Sequence, residues 1–130
     1  MSRAWPTMAE VADAVAGELR TGNVDMAHRL LMDGVNRLPA AAEARRLAEA
    51  LDPPSSMGDA RWDALLAAAV RYRLHSMGRP APEWTVKEPL SIFWWPTRIN
   101  PSQQYNAMAH TPAEFRRLGI FIDERDLTSA

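Results

Sequence analysis

The side chains that could carry acid–base or metal chemistry are few in this sequence, and their spacing keeps them apart. The three histidines, His28, His75 and His110, fall on three different predicted elements, and no two are three or four residues apart, as zinc ligands on one helix would be. The chain has no cysteine, which excludes a thiolate metal site, a thiolate nucleophile and a disulfide. We therefore predict no metal site and no cofactor.

Two groups of carboxylates come close together along the chain. Asp59 and Asp63 are four residues apart, and Asp123, Glu124 and Asp126 cluster further on. General acid–base catalysis needs carboxylates in environments that separate their pKa values, but both groups stand at expected helix starts, where acids cap the helix and favour its dipole. Neither a GxSxG nucleophile motif nor a glycine-rich phosphate-binding motif occurs. We therefore predict no catalytic residues and no enzymatic activity.

Residues 79–101 combine repeated prolines with three of the five tryptophans of the chain. Each proline lacks a backbone donor and pushes the residue before it out of the helical region, so this stretch cannot form a long helix. We predict an extended strap that lies across the chain's own helices or across a partner. Because neighbouring side chains of an extended segment point to opposite faces, one of Trp94 and Trp95 could enter the core while the other contacts a partner.

The strap is also the strongest candidate for a binding surface. Tryptophan, tyrosine and arginine dominate binding hot spots, and exposed aromatic patches mark partner sites. The alternative is structural: the rings of the strap fill the groove between the second and fourth helices, because a chain this short must bury most of its aromatics. The residues predicted to contact a protein partner are Trp84, Phe93, Trp94, Trp95, Arg98, Tyr105, Arg116 and Arg117.

The charge of the chain does not favour nucleic acid as the primary partner. The formal net charge is −1, and residues 59–130 hold nine basic and eight acidic side chains. No recognition helix with the short turn of a helix-turn-helix motif is evident. The alternative is a basic face that would bind DNA beside the strap, and its members would be Arg71, Arg73, Arg79, Arg98, Arg116 and Arg117.

Helical periodicity and capping motifs predict a mostly α fold, a small bundle of about four helices plus short C-terminal helices, wrapped by the strap. Thr7 and Glu10 form a capping box at the first helix, and Thr111 with Glu114 repeats the pattern further on. Gly34 is either a weak point in the second helix or a place where another helix comes close. The predicted helices are 8–20, 24–38, 40–51, 60–77, 101–109 and 112–118, with a last turn at 124–127.

The length of the chain fits one domain, residues 1–130, with a possible division near residue 55 into 1–55 and 56–130. The first residues do not have the pattern of a signal peptide. No apolar run approaches the roughly 20 residues that span a bilayer. We expect a cytoplasmic protein without a membrane partner.

Four stretches resemble a known type of protein. They are GDARWDALLAA at 58–68, PAPEWT at 80–85, FWWP at 93–96 and TPAEFRRLGIFIDERDL at 111–127. These stretches resemble small actinobacterial antitoxin-like proteins encoded beside nucleotidyltransferase toxins of the abortive-infection type. The resemblance covers roughly residues 58–127, and the first two helices more loosely.

The resemblance implies a non-enzymatic antitoxin that neutralises a partner toxin, a nucleotidyltransferase, by direct protein–protein binding. Many proteins of this type carry a helix-turn-helix ahead of the similar region, and this chain departs from that pattern because its N-terminal part is too short to hold one. This departure counts against autoregulation by DNA binding. A DNA-binding transcriptional regulator or autoregulator is nevertheless the first alternative. A small enzyme, in which His75 or His110 meets an acid, is the third possibility.

Overall fold

The computed structural model describes residues 5–127, and its fold is mostly α-helical, as predicted. The α-helices of this part of the chain are α1 (Met8–Arg20), α2 (Val24–Val35), α3 (Ala44–Ala50), α4 (Ala60–Ser76), α5 (Pro101–His110) and α6 (Ala113–Arg116). Short 3₁₀ turns lie at Leu38–Ala41, Glu83–Thr85 and Glu124–Leu127. Within residues 5–127 no named β-strand occurs, and Trp94 and Ile120 form an isolated parallel bridge. No helix among these residues is both long and apolar enough to cross a membrane.

Capping side chains begin the longer helices where the sequence predicts. At α1 the Thr7 hydroxyl accepts from the Glu10 amide at 3.1 Å, and the Glu10 carboxylate accepts from the Thr7 amide at 2.8 Å. Asp59 accepts from a backbone amide of the first turn of α4 at 2.9 Å, and Asn100 forms a capping box with Gln103 at α5. These bonds satisfy amides that have no partner inside the helix, and they confirm the predicted starts of α1, α4 and α5.

The second and third helices are shorter than predicted. The second helix ends at Val35 and not near residue 38, and the third spans Ala44–Ala50 and not 40–51. Between them Pro39 stands at the start of a 3₁₀ turn, because its ring cannot continue the α-helical hydrogen bonds. The chain therefore leaves α2 three residues earlier than predicted and passes through a 3₁₀ turn before α3 begins.

The predicted capping box of Thr111 and Glu114 is wrong. The Thr111 hydroxyl donates to the Ala107 carbonyl and accepts from the Ile122 amide at 3.2 Å, so it ties α5 to the segment that follows α6. Glu114 instead reaches His75 at the end of α4. Tertiary contacts have replaced the local pattern, and α6 begins without a side-chain cap.

α1 and α2 pack at very short range around Gly34. A Cβ atom placed on Gly34 would lie 2.5 Å from Cγ2 of Val11, which no real side chain tolerates. Val11 is β-branched and sits in the middle of a helix, so it has little freedom to move aside. Of the two interpretations of Gly34, the close approach of another helix is confirmed.

α4 is the centre of the fold. Every residue from 64 to 70 is buried, so the helix is enclosed all round and does not have the single amphipathic stripe that its sequence pattern suggests. The core around it draws on both ends of the described chain, from Trp5 and Met8 to Ile122 and Leu127. This enclosed helix is the rigid support on which the proline- and tryptophan-rich segment lies.

Candidate functional site

The proline- and tryptophan-rich segment is anchored to the helices near its start. The indole N–H of Trp84 donates to the Leu51 carbonyl at 2.8 Å, and the half-buried ring packs against the core. Thr85 is buried, and its hydroxyl accepts from Arg71 on α4 at 3.2 Å. The structure therefore places Trp84, a predicted partner-binding residue, in an anchoring position within the chain.

Further along, the segment is held at two points while the residues between them loop outward. The Leu90 amide donates to the Leu118 carbonyl and the Trp94 amide donates to the Gly119 carbonyl, each at 2.9 Å. The two acceptors are adjacent in the sequence, whereas the two donors are four residues apart. Ser91, Ile92 and Phe93 consequently bulge away from the pairing, and we call residues 91–93 the bulge.

The bulge presents large apolar side chains to solvent. Ile92 is 77% exposed and Phe93 is 61% exposed. Phe93 is nevertheless held in place, because its ring meets the ring of buried Phe121 edge-on at 5.2 Å between centroids. Gly119 lies directly beneath it: the φ angle of Gly119 is +79°, and an added Cβ would lie 3.3 Å from Cδ1 of Phe93. The bulge is therefore exposed and supported at the same time.

The two adjacent tryptophans that follow the bulge make contacts with different parts of the fold. The ring of Trp94 meets the ring of buried Trp62 edge-on at 5.6 Å, and the Arg61 guanidinium lies 5.1 Å from the centre of the Trp94 ring. The ring of Trp95 lies 5.3 Å from that of Phe121. Both tryptophans are half-buried, so Trp94 anchors the segment to α4 while Trp95 extends the aromatic layer beside the bulge.

α5 adds further exposed apolar side chains next to Trp95. The indole N–H of Trp95 donates to the Gln104 carbonyl of α5 at 3.2 Å. Tyr105 follows Gln104, and Met108 lies one helical turn beyond both, so the three share one side of the helix. Tyr105 is 75% exposed, and Met108 is exposed as well. Trp95 thus connects the bulge to this side of α5.

We call the resulting surface the aromatic patch. Its members are apolar or aromatic, are exposed or half-buried, and belong to the bulge, to its flank or to one side of α5. They are Ile92, Phe93, Trp95, Tyr105 and Met108. The patch includes three predicted partner-contacting residues and two that sequence reasoning missed, Ile92 and Met108, because only the fold reveals that these aliphatic side chains stay outside the core.

Three arginines that could have formed a basic face turn inward. Arg71 and Arg73, both on α4, donate to side-chain oxygens of other segments, and Arg79 donates to the Ala42 carbonyl at 2.7 Å. Arg73 also donates to the Leu127 carbonyl at 3.4 Å. These guanidinium groups fasten the chain to itself and do not line up on one exposed surface.

The predicted partner-contacting arginines are exposed. The Arg116 guanidinium donates to the Thr111 carbonyl at 2.9 Å, whereas the side chains of Arg98 and Arg117 form no hydrogen bond or ion pair within residues 5–127. Arg116 and Arg117 immediately precede Leu118 and Gly119, whose carbonyls anchor the bulge. Two of the three arginines are therefore next in sequence to the carbonyls that anchor the bulge, whereas Arg98 lies with Asn23, Val24 and Asp25 of the turn between α1 and α2.

The carboxylate groups act as structural acceptors. Asp63 accepts from the Met57 amide at 2.8 Å and from the Ser56 hydroxyl at 2.6 Å, so it fastens the preceding loop to α4. Asp123 accepts from the Arg125 amide at 2.9 Å and from its guanidinium at 2.7 Å. The hydrogen bond from the Arg125 side chain is the main reason that the pKa of Asp123 falls to about 2. Asp123 therefore caps the last turn as the sequence predicts, whereas Asp63 holds the preceding loop and does not cap its own helix.

One histidine–acid pair is present that the sequence did not reveal. Nδ1 of His75 lies 2.6 Å from Oε2 of Glu114, and the pair joins the end of α4 to α6 near the surface. The two residues are 39 positions apart, so no local pattern could have paired them. His110 instead contacts the Asn106 carbonyl at 2.9 Å within its own helix. No group of three or more histidine and acidic side chains among residues 5–127 is arranged to hold a metal ion.

His28 is the one histidine that the fold shields from water. Its Nε2 atom is buried and has no hydrogen-bond partner among the described residues. Burial lowers the pKa of His28 below 6.5, against the opposing influence of Asp126 and Asp25. His28 is therefore a structural group of α2 that favours its neutral form.

The aromatic patch is the most distinctive surface of the described chain. Ile92 and Phe93 are exposed between two backbone hydrogen bonds, and Tyr105 and Met108 are exposed on α5. No family model matches the chain, and no curated protein or solved structure matches it either.

Proposed function

We propose that this chain is a non-enzymatic antitoxin that neutralises a partner toxin, a nucleotidyltransferase, by direct binding through the aromatic patch. The observation that carries the proposal is the bulge, which exposes Ile92 and Phe93 while Leu90 and Trp94 are bonded on either side of it. Burial of apolar surface is worth roughly 25 cal/mol per Å². A partner that covers these side chains gains this free energy, which the isolated chain leaves unused.

The support beneath the patch favours binding for a second reason. A flexible loop loses conformational entropy when it is ordered at an interface, and this loss weakens binding. The bulge is already ordered by its backbone bonds and by the edge-on contact of Phe93 with Phe121. Little of the binding free energy is therefore needed to order this surface.

The identity of the partner is taken from the resemblance to antitoxin-like proteins. The four similar stretches include FWWP at 93–96 and the segment 111–127, which contribute Phe93, Trp95 and their support Phe121 to the patch. The proposed mechanism is steric: the patch docks on the toxin and keeps it from its substrate. Such a mechanism requires no catalytic residue, metal or cofactor in this chain.

The DNA-binding alternative receives less support from the arrangement of arginines. Duplex binding depends on several cations that face the phosphates together. Arg71, Arg73 and Arg79 donate to oxygens of the chain itself. The enzyme alternative has the His75–Glu114 pair in its favour, but the pair lies at the surface between two helices and no further reactive group accompanies it in hydrogen-bond contact.

Co-expression with the product of the neighbouring gene, which the proposal expects to be a nucleotidyltransferase toxin, tests the proposal. The toxin alone should arrest bacterial growth, and the wild-type chain should restore growth and co-purify with the toxin. The double variant Ile92→Asp/Phe93→Asp should lose both effects, because two charges would be buried at the centre of the interface. Its soluble yield and helical circular dichroism should match those of the wild type, since both side chains are exposed.

Val86→Asp is the matched control, because Val86 is 60% exposed and lies in the same segment but outside the patch. This variant should restore growth as well as the wild type does. The proposal fails if the neighbouring gene product is harmless, if the wild-type chain does not restore growth, or if the folded double variant still restores it.

A further inference from the structure

The hydrogen bonds of Trp94 pair one side of its segment and leave the other side unpaired. Trp94 and Ile120 form a parallel bridge. In this bridge the Trp94 amide donates to the Gly119 carbonyl, and the Trp94 carbonyl accepts from the Phe121 amide, each at 2.9 Å. Successive residues of an extended strand direct their backbone N–H and C=O groups to opposite sides. The backbone groups of the residues before and after Trp94 therefore point away from the segment to which Trp94 is bonded.

These two residues, Phe93 and Trp95, have backbone groups without partners in the part of the chain that the structure describes. Within residues 5–127 neither residue forms a hydrogen bond through its backbone amide or carbonyl, and the bond of Trp95 to Gln104 comes from the indole. Backbone groups that are shut off from water are almost always paired, and Phe93 is 61% exposed. The unpaired groups therefore face solvent. We call the N–H and C=O groups of Phe93, together with the N–H group of Trp95, the open edge.

Prolines on both sides keep the open edge short. Pro89 precedes the bulge, and Pro96 directly follows Trp95. A proline has no amide hydrogen to donate, so it ends a row of backbone donors. Short edges bounded by proline are one way in which proteins avoid indiscriminate strand pairing. The open edge therefore offers a pairing site for one short segment and not a long template for aggregation.

We infer that the toxin adds a short extended segment to the open edge, as a strand beside residues 93–95. This inference rests on the proposed function and specifies how the partner binds at the aromatic patch. The donors of Phe93 and Trp95 are two residues apart, a spacing of about 6.6 Å along an extended strand. Another extended backbone repeats its own donors and acceptors at this spacing, whereas a helix uses its backbone groups internally.

The open edge is continuous with the aromatic patch. Phe93 and Trp95 belong to both, and their rings lie 5.2 Å and 5.3 Å from that of Phe121 on one face of the segment. The other face is closed, because the ring of Trp94 meets the ring of Trp62 on α4. Alternate side chains of an added strand would therefore lie against the rings of the patch. Backbone bonds would supply affinity, and the rings would select the side chains of the toxin segment.

Amide hydrogen exchange resolved to single residues tests the inference. In the isolated chain the Phe93 and Trp95 amides should exchange roughly tenfold faster than the Trp94 amide or more, because the Trp94 amide is already bonded. In the complex with the product of the neighbouring gene, both amides should slow by roughly tenfold or more. The Ile92 amide should slow much less, because it lies outside the open edge. A partner that merely covers the patch would slow all of these exposed amides alike.

Replacement of Phe93 by phenyllactic acid is a matched variant, because it keeps the ring and exchanges the amide N–H for an ester oxygen. The loss of one hydrogen bond should weaken binding of the purified neighbouring-gene product roughly threefold to tenfold. The control is Ile92 replaced by its 2-hydroxy acid, which should change the affinity by less than about twofold, since no bond to the partner is lost. Isothermal titration calorimetry measures both affinities.

Several results would overturn the inference. They are Phe93 and Trp95 amides that are already protected in the isolated chain, the same amides exchanging rapidly in the complex, and a phenyllactic acid variant that binds as tightly as the wild type. Light scattering of the isolated chain adds a further outcome. If the chain is a dimer in which these amides are protected, a second copy occupies the open edge and the inference is wrong.

The growth assay separates failure of this inference from failure of the proposed function. If the wild-type chain restores growth and forms the complex while the Phe93 and Trp95 amides stay unprotected, the antitoxin proposal stands and the strand-addition inference fails. If the wild-type chain neither restores growth nor binds the neighbouring-gene product, the antitoxin proposal fails, and the inference that rests on it fails as well.

Discussion

In α4 the seven residues from 64 to 70 are all buried, whereas in the bulge Ile92 is 77% exposed and Phe93 is 61% exposed. Both stretches lie within the same fold, and Trp94, next to the bulge, touches Trp62 of α4. Apolar composition therefore does not decide which stretch is buried. The arrangement of backbone hydrogen bonds does.

The backbone of α4 satisfies its own polar groups, so every side of the helix can be covered by other elements. The bulge lacks this property, because its flanking amides must reach the carbonyls of Leu118 and Gly119. Once those bonds form, residues 91–93 have no counterpart in the facing segment, because Leu118 and Gly119 are adjacent in the sequence. Exposure of Ile92 and Phe93 is thus a consequence of how the segment is anchored.

The largest change in stability is expected for the truncation Leu65→Ala in α4, which tests the role of this helix as the support. Leu65 is completely buried, so the variant should lose roughly 2–5 kcal/mol of unfolding free energy through lost transfer and a residual cavity. Urea unfolding followed by circular dichroism measures the change. A loss below about 0.5 kcal/mol, the range of surface positions, would show that α4 is not the central support.

A smaller effect is expected where the two regions meet, at Gly119. The variant Gly119→Ala should lose about 1–2 kcal/mol, because the φ angle of +79° is unfavourable for a residue with a Cβ atom. The new methyl group would also press on Phe93, only 3.3 Å from Cδ1. Urea unfolding measures the stability.

Gly22→Ala is the control for Gly119→Ala, since Gly22 has a φ angle of +78° but open space where the methyl group would lie. Both variants should be destabilised by backbone strain. Gly119→Ala alone should also restore growth less well in the co-expression assay, because the methyl group displaces Phe93. Equal growth rescue by the two variants would contradict the role of Gly119 as a support of the patch.

The same contrast explains how much the sequence could predict. The start of α1 at Met8, the start of α4 at Ala60 and the start of α5 at Pro101 are confirmed, because capping side chains and helical periodicity act over a few residues. The position of the strap depends on acceptors far away in the sequence, such as the carbonyls of Leu51 and Gly119. No local pattern encodes such a pairing.

The candidate surface was predictable only in part, for the same reason. A prediction of contact residues from aromatic type alone includes Phe93 and Tyr105, which are exposed. It also includes Trp84, but the ring of Trp84 packs against the core. It omits Ile92 and Met108, since an aliphatic residue is normally expected inside. Only the long-range backbone bonds distinguish an anchoring aromatic residue from a presented one.

The stability of the helical scaffold should depend on pH through His28. The pKa of His28 on α2 is lowered by burial, so at pH values below 6.5 the unfolded chain binds protons more readily than the folded one. Stability should therefore fall as the pH is lowered from 7 to about 5. In His28→Gln the fall should be shallower, because this proton uptake is removed.

Urea unfolding of the wild type and of His28→Gln across this pH range measures the difference in slope. The absolute stability of the variant does not matter, because the prediction concerns the slope alone. His75→Gln is the comparison variant, since its ring is exposed and paired with Glu114. If the stability of His28→Gln falls with the same slope as that of the wild type, His28 does not contribute to the loss of stability in acid.

The smallest expected change in stability belongs to Ile92→Asp, and it is the most informative about function. Ile92 is 77% exposed, so replacing it should alter the unfolding free energy by no more than about 0.5 kcal/mol, as at other surface positions. The same replacement should weaken growth rescue in the co-expression assay far more than Val86→Asp does, because a carboxylate would be buried in the apolar centre of the interface. Growth rescue and urea unfolding of the purified variants measure the two effects. If Ile92→Asp instead unfolds the chain, Ile92 belongs to the core like the residues of α4, and the distinction between a supporting helix and a presenting bulge collapses.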